Sequence, residues 1–425
     1  MVEAVDWLIM GLFAASYVVI AFENKLVVDK SAIALVTGVV LWVLVAVLQP
    51  GDDAHLLEEM GSEIFSIFIF LLAAMALVEV LVLHRFFDLI QSWLAGRKLT
   101  DRPQFVIVMV MTFFLSAVLD NLTVTIVMVN VSLRFFSGRN RLITVAGVVI
   151  LANAGGAWSP IGDVTTILLW LDGKFTAGQV ILQGFLPAAV IGTIATLLLV
   201  RKLDDDTADQ PSAPVRLNAK EVVVNALVLS SFGLSLVANL LGLPPYMGLL
   251  LGLGVAWLLM HHLEHREAGQ DGGTALGASI SHVFRQVDVP ALMFFVGILM
   301  AVSALGAAGI LETLSTALLG EDQDFTRAAL GSVGLGLLSA VVDNVPLTAL
   351  SLDLIQISDP DLWVLVALAV GTGGSALVIG SAAGVVAMAL ERRLTFGAYL
   401  RIATVPALVA YFAGVLTWWL QRAVL

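Results

Sequence analysis

The chain contains no cysteine in 425 residues. Disulfides and thiolate metal sites are therefore excluded. Charge is scarce too: 13% of residues are Asp, Glu, Lys or Arg, against about 25% in a soluble domain. Basic residues are the scarcer sign, 21 against 33 acidic, for a net charge of −12. That balance gives no basis for nucleic-acid binding and reads as solvated acidic loops. The opening stretch, Met1 to Asp6, is acidic and lacks the basic segment of a cleavable signal peptide. What is abundant is apolar surface: 59% of the residues are hydrophobic. They gather in runs near the ~20 residues that cross a bilayer. The fold class expected is an all-α polytopic membrane protein.

Ten spans are expected, at roughly 5–22, 31–49, 63–83, 142–171, 179–200, 221–241, 244–262, 288–311, 361–391 and 399–421. Two further stretches, 104–135 and 326–357, carry a polar pair at their centres. They are expected as re-entrant hairpins, because irregular backbone cannot face lipid. With this threading the 21 Lys and Arg residues split 18 to 3 between the two sides. Only Lys174, Arg327 and Arg422 fall on the poorer side. The richer side is cytoplasmic by the positive-inside rule, so both termini face outward. An inner-membrane, multi-pass location is expected.

The organisation expected is two halves. Residues 1–200 hold the hairpin 104–135 and a broken helix 142–171. Residues 221–425 hold the hairpin 326–357 and a broken helix 361–391. Between them 201–220, with Asp204-Asp205-Asp206, Pro211 and Pro214, reads as a soluble cytoplasmic linker. A Gly-rich stretch within 261–288 reads as a second cytoplasmic loop. Each half crosses an odd number of times, so the two repeats have inverted topology.

The repeat is visible in the residues. Ser116-Ala117-Val118-Leu119-Asp120-Asn121-Leu122-Thr123-Val124-Thr125 matches Ser339-Ala340-Val341-Val342-Asp343-Asn344-Val345-Pro346-Leu347-Thr348. A carboxylate in hydrocarbon costs about 2.5–3.5 kcal/mol on insertion scales. Two in one repeated frame argue for a midplane ion site. Asn153-Ala154-Gly155-Gly156-Ala157-Trp158-Ser159-Pro160-Ile161-Gly162-Asp163 aligns in turn with Gly371-Thr372-Gly373-Gly374-Ser375-Ala376-Leu377-Val378-Ile379-Gly380-Ser381. Paired glycines, with Pro160 in the first copy, break a helix and free its carbonyls. Those carbonyls, with Asp, Asn, Ser and Thr oxygens, make a ligand set for a hard cation. The bland alternative is that the glycines only allow close helix packing; four such elements in two matched pairs favour a site.

Oxygen donors in these segments are Asp120, Asn121, Thr123, Asn153, Asp163, Thr165, Thr166, Ser339, Asp343, Asn344 and Ser375. Asp120, Asn121, Asp343 and Asn344 are the expected Na⁺ ligands. Asp163 faces Ser381 in the repeat, so the halves differ chemically. Asp163 reads as an N-cap of the second half-helix, as an ion or proton ligand, or as both. Glu79, late in the third span, reads either as a snorkelling side chain paired with Arg85 or as a proton relay. His84 and the Trp418-Trp419 pair read as interfacial.

The segments Ser116–Thr125, Asn153–Thr166 and Ser339–Thr348 resemble the signature segments of NhaD-type sodium/proton antiporters, in the ion transporter superfamily. The resemblance runs from about residue 60 to about residue 390. It implies a homodimer with a scaffold part and a mobile part holding both hairpins. It also implies roles in transport for Asp120, Asn121, Asn153, Asp163, Thr165, Thr166, Asp343 and Asn344, and importance for Glu79. The function expected is exchange of Na⁺, and also Li⁺, for H⁺ by competition at buried aspartates with alternating access. The chain would then be no enzyme and need no cofactor; its partners would be Na⁺, H⁺ and membrane lipid. A sodium-coupled carboxylate or other anion carrier of the same fold is the alternative, disfavoured because no Lys or Arg lies in the central segments. An intramembrane aspartyl protease is a remote alternative in which the repeat has no role. A passive cation channel is disfavoured by the broken, repeated helices.

Overall fold

In the computed structural model each Asp-Asn pair ends one helix break and starts the next helix. The structure describes residues 2–21, 28–48, 54–97, 99–204, 216–271, 278–319 and 324–424. Most of the expected linker, 205–215, lies outside the described residues. So does 272–277 of the expected second loop.

The described chain is helical, with no strand among the described residues. In order the helices are α1 Val2–Ala21, α2 Lys30–Leu48, α3 Ala54–Leu83, α4 Phe86–Ala95, α5 Asp101–Ser116, α6 Asn121–Phe135, α7 Gly138–Gly156, α8 Val164–Leu171, α9 Ala177–Val200, α10 Ala219–Leu240, α11 Pro245–Asp271, α12 Ala278–Gln286, α13 Val289–Ala307, α14 Ile310–Leu319, α15 Phe325–Leu338, α16 Asn344–Leu354, α17 Pro360–Gly373, α18 Ala382–Leu390 and α19 Phe396–Val424. Among the described residues, seven helices are long and apolar enough to cross a membrane. The protein is a polytopic, all-helical membrane protein.

Several bounds differ from the sequence expectation. Helix α3 starts at Ala54 rather than near 63, because nothing in Ala54–Ser62 except Gly61 opposes a helix. Helix α11 runs to Asp271 and α12 follows, so much of the expected loop 261–288 is helical. Two short helices, α4 and α14, were not anticipated. Each follows a left-handed residue that ends the helix before it: Arg85 (φ 58) and Gly309 (φ +72). Glycine occupies that region at little cost, whereas arginine does so against its Cβ.

The chain divides into two compact units. The first comprises Met1–Ile64, Thr100–Ala208 and Met293–Leu425; the second comprises Phe65–Leu99 and Asp209–Leu292. In the second unit α10 and α11 pack as a pair, with Gly248 against the Leu234 carbonyl and Gly252 against Ser231. Asn225 Nδ2 donates to the His84 carbonyl at 3.0 Å.

In the first unit α5 packs on α7 and α15 packs on α17. The second limbs cross over: α6 packs on α18, and α16 packs on α8. The close contacts match pair by pair. A methyl on Gly155 would collide with the Phe113 carbonyl, and one on Gly373 with the Gly336 carbonyl. Gly162 meets the Ser116 carbonyl as Gly380 meets that of Ser339. Ser116 Oγ donates to the Ala152 carbonyl (2.6 Å), and Ser339 Oγ to the Val370 carbonyl (2.9 Å). The glycines therefore do pack helices closely, and that packing brings the polar residues together.

Candidate functional site

Four half-helices of the first unit begin at polar caps. Asp120 starts α6, Asp163 starts α8, Asp343 starts α16 and Ser381 starts α18. Backbone N–H groups at a helix start are unpaired and carry partial positive charge. Each cap supplies an acceptor there. Asp120 accepts from Thr123 N (2.9 Å) and Thr123 Oγ1 (2.6 Å). Asp343 accepts from Val345 N (3.2 Å), Asp163 from Thr165 N (3.4 Å), and Ser381 Oγ from Gly384 N (3.2 Å). Thr166 closes the cap at Asp163: its Oγ1 donates to the Asp163 carbonyl (2.8 Å) and accepts from Asp163 N (3.3 Å).

Side-chain hydrogen bonds link these starts in two pairs, α6 with α18 and α8 with α16. Asn153, fully buried in α7, is the hub of the first pair. Its Oδ1 accepts from Asn121 Nδ2 (3.1 Å), and its Nδ2 donates to Ser375 Oγ (2.9 Å) and Ser381 Oγ (3.1 Å). Asn344 Nδ2 donates to Asp163 Oδ2 (3.3 Å). Asn121, Asn153, Asp163, Thr165, Asn344, Ser375 and Ser381 are all buried. Such groups are costly unless hydrogen-bonded; Thr165 Oγ1 makes no well-formed hydrogen bond and lies towards the Asp163 carboxylate.

The space beside Thr165 exists because residue 371 is glycine. A Cβ there would lie 3.2 Å from Thr165 Oγ1 and 3.3 Å from Asp163 Oδ2. One carboxylate oxygen and one hydroxyl thus border the same bare stretch of α17. A hard, oxygen-seeking monovalent ion suits such donors.

The structure therefore brings together Asn121, Asn153, Asp163, Thr165, Asn344 and Ser375 from the sequence candidates. Thr166 stands behind Asp163 as a cap. Asp120, Thr123 and Asp343 are half-buried, and their hydrogen bonds run within their own helix starts. Ser339 is buried and spends its hydroxyl on the Val370 carbonyl. Glu79 is half-buried in the second unit. The freed carbonyls of the second break are only partly free: Tyr399 Oη donates to that of Ser375 and Thr404 Oγ1 to that of Ala376, both at 2.7 Å.

Sequence reasoning missed Tyr17 of α1. Its hydroxyl is buried without a hydrogen-bond partner and lies within electrostatic reach of Asp343. The available signal was a polar-tipped aromatic inside an apolar span. Tyr399 and Thr404 gave no motif signal.

Apolar spans, interrupted helices and buried polar groups define a multi-pass membrane protein with a polar interior. The family model described as citrate transporter matches residues 17–371. The chain is 36% identical over 422 residues to sodium/proton antiporter 2 of Arabidopsis thaliana, covering 96% of this chain and 97% of that one. It is 31% identical to the Na(+)/H(+) antiporter NhaD of Alkalimonas amylolytica, covering 97% and 89%. It is 31% identical to NhaD of Halomonas elongata, covering 95% and 86%. The chain belongs to the family that the citrate transporter model describes, and within it to the NhaD-type sodium/proton antiporters.

Proposed function

We propose that this protein exchanges Na⁺, and also Li⁺, for H⁺ by competition at buried aspartates. The observation that carries the reading is the pairing of Asp163 Oδ2 with Thr165 Oγ1 beside Gly371. Deprotonated, Asp163 attracts the cation, with Thr165 and the Asn344 amide oxygen as neutral donors after the amide turns over. Protonated, it releases the cation. Asp343, within electrostatic reach of Asp163, adds negative charge that favours both the ion and the proton. Asp120 and Asn121 serve the corresponding start in the first half. Burial disfavours a charged carboxylate and a bound cation restores it, so each species displaces the other.

The two halves act in this reading as inverted repeats of residues 1–200 and 221–425, with re-entrant hairpins entering from opposite faces. The 18-to-3 split of basic residues supports outward-facing termini in an inner membrane. Alternating access moves the hairpin-bearing part against a scaffold, in a homodimer, with Glu79 on a proton route.

The name of the matching family model favours a second reading, transport of a carboxylate anion. Helix starts do attract anions. Here, however, three of the four starts carry an aspartate. Among the described residues no Lys or Arg is hydrogen-bonded to the lattice. Unneutralised carboxylates repel an anion, so the cation reading is preferred.

The test is Na⁺-driven proton movement in proteoliposomes, read with a pH dye and repeated with Li⁺, K⁺ and a tricarboxylate. Competition of one proton with one ion raises the apparent Na⁺ constant as pH falls, by up to about tenfold per unit. Proton movement driven by the tricarboxylate and not by Na⁺ would replace this reading with the anion one.

A further inference from the structure

The carbonyls of Ser375 and Ala376 lie in the second helix break, and both are held by hydroxyls of α19. Tyr399 is fully buried. Between Tyr399 and Thr404 the helix widens into a π turn over Leu400–Thr404. The sequence explains the turn. Pro406 has no N–H, and its α-helical acceptor would be the Ile402 carbonyl, four residues earlier. That carbonyl is taken instead by Lys202 Nζ at 2.6 Å.

The π turn changes which side chains share a face. In an α-helix, residues five apart diverge by about 140°. In a π turn, closed by an i→i+5 hydrogen bond, they lie much nearer one face. Tyr399 and Thr404 are five apart, and their hydroxyls reach the carbonyls of two consecutive residues. The side chain of the first of those residues, Ser375, accepts from Asn153 at the lattice hub.

We propose that Tyr399 and Thr404 are positioning residues for transport: they fix the backbone of the second break so that the Ser375 hydroxyl meets Asn153, and the π turn aims both hydroxyls at it. Lys202 anchors the turn from the end of α9. The proposal rests on the Asn153 and Asp163 groups together forming the Na⁺/H⁺ site. It extends the site to a helix that touches no ion.

The experiment uses the full chain in proteoliposomes, with Na⁺ dependence measured at several pH values and thermal unfolding measured in parallel. Wild type and Asp163→Asn are the reference arms. Tyr399→Phe and Thr404→Val should each raise the KM for Na⁺ about three- to tenfold, the effect of one hydrogen bond. The maximal rate should change by less than about twofold, and unfolding should move little. Thr404→Ser should restore the wild-type KM. Pro406→Ala, which lets the helix close into regular α form, should raise KM in the same direction. Should Tyr399→Phe fail to accumulate, Thr404→Val and its serine rescue carry the same test. Lower unfolding temperatures with KM unchanged would mean a packing role alone and overturn the proposal. If wild type moves no protons with Na⁺, the exchange reading itself fails, and the proposal with it. An active wild type, a raised KM in Asp163→Asn and unaltered KM in both hydroxyl variants would overturn the proposal alone.

Discussion

Asn344 Nδ2 lies 3.3 Å from Asp163 Oδ2, joining the start of α16 to the start of α8. The two residues are 181 positions apart in the chain. The contact makes the site composite: Asp163 and Thr165 come from the first half, Asn344 and Gly371 from the second. It also makes the halves unequal, since the repeat partner of Asp163 is Ser381.

Asp163→Asn should therefore raise the apparent Na⁺ constant by at least about tenfold and flatten its pH dependence. Ser381→Ala should do much less. It removes an N-cap acceptor and one acceptor of Asn153, roughly 1 kcal/mol in stability. Transport against Na⁺ at several pH values compares the two. Equal impairment would show that both broken helices contribute alike.

Gly371→Ala places a methyl 3.2 Å from Thr165 Oγ1 and 3.3 Å from Asp163 Oδ2. The contact is tight without being a backbone collision, so the protein should still fold. The methyl occupies the space assigned to the cation. Na⁺-driven exchange should fall about tenfold or more, with Li⁺, the smaller ion, less affected. Exchange at wild-type levels for both ions would move the cation elsewhere.

Asn153→Ala removes three hydrogen bonds and leaves Asn121, Ser375 and Ser381 short of partners in a dry interior. A loss of about 2–4 kcal/mol is expected. Thermal unfolding should register it directly, and exchange should fail even where the variant is inserted. A variant as stable as wild type would mean that water replaces the amide.

Tyr17→Phe removes only the buried hydroxyl near Asp343. The apparent Na⁺ constant should change with thermal unfolding little altered, read as transport against Na⁺. An unchanged constant, together with normal stability, would restrict α1 to packing.

Much of this arrangement was legible in the chain. Asp and Asn inside apolar runs are too costly to be incidental, and the helices are interrupted at Asp120, Asp163, Asp343 and Ser381, where the sequence motifs lie. The double glycines announced close approach, and the structure sets them against Phe113 and Gly336. The helical bounds at α4, α11 and α14 were missed. Composition does not register one left-handed residue such as Arg85 or Gly309. Nor does a Gly-rich stretch near 272–277 forbid helix on either side of it. The role of Asp163 was left open between cap and ligand; in the structure it caps α8 and also borders the bare space.

The sequence alone determined the membrane class, the repeat and the polar inventory, because hydropathy, a costly buried charge and a matched motif are local properties. Tertiary structure decided which polar groups meet. Asn153 finds Ser375 across 222 residues and Asn344 finds Asp163 across 181, distances over which no spacing rule applies. It also decided what each oxygen is free to do. Capping absorbs Asp120 and Ser339 bonds to a carbonyl, whereas the Thr165 hydroxyl is left beside the Asp163 carboxylate and Gly371. Hydrogen-bond capacity is spent in three dimensions, so the remainder available for a cation is a property of the packed chain.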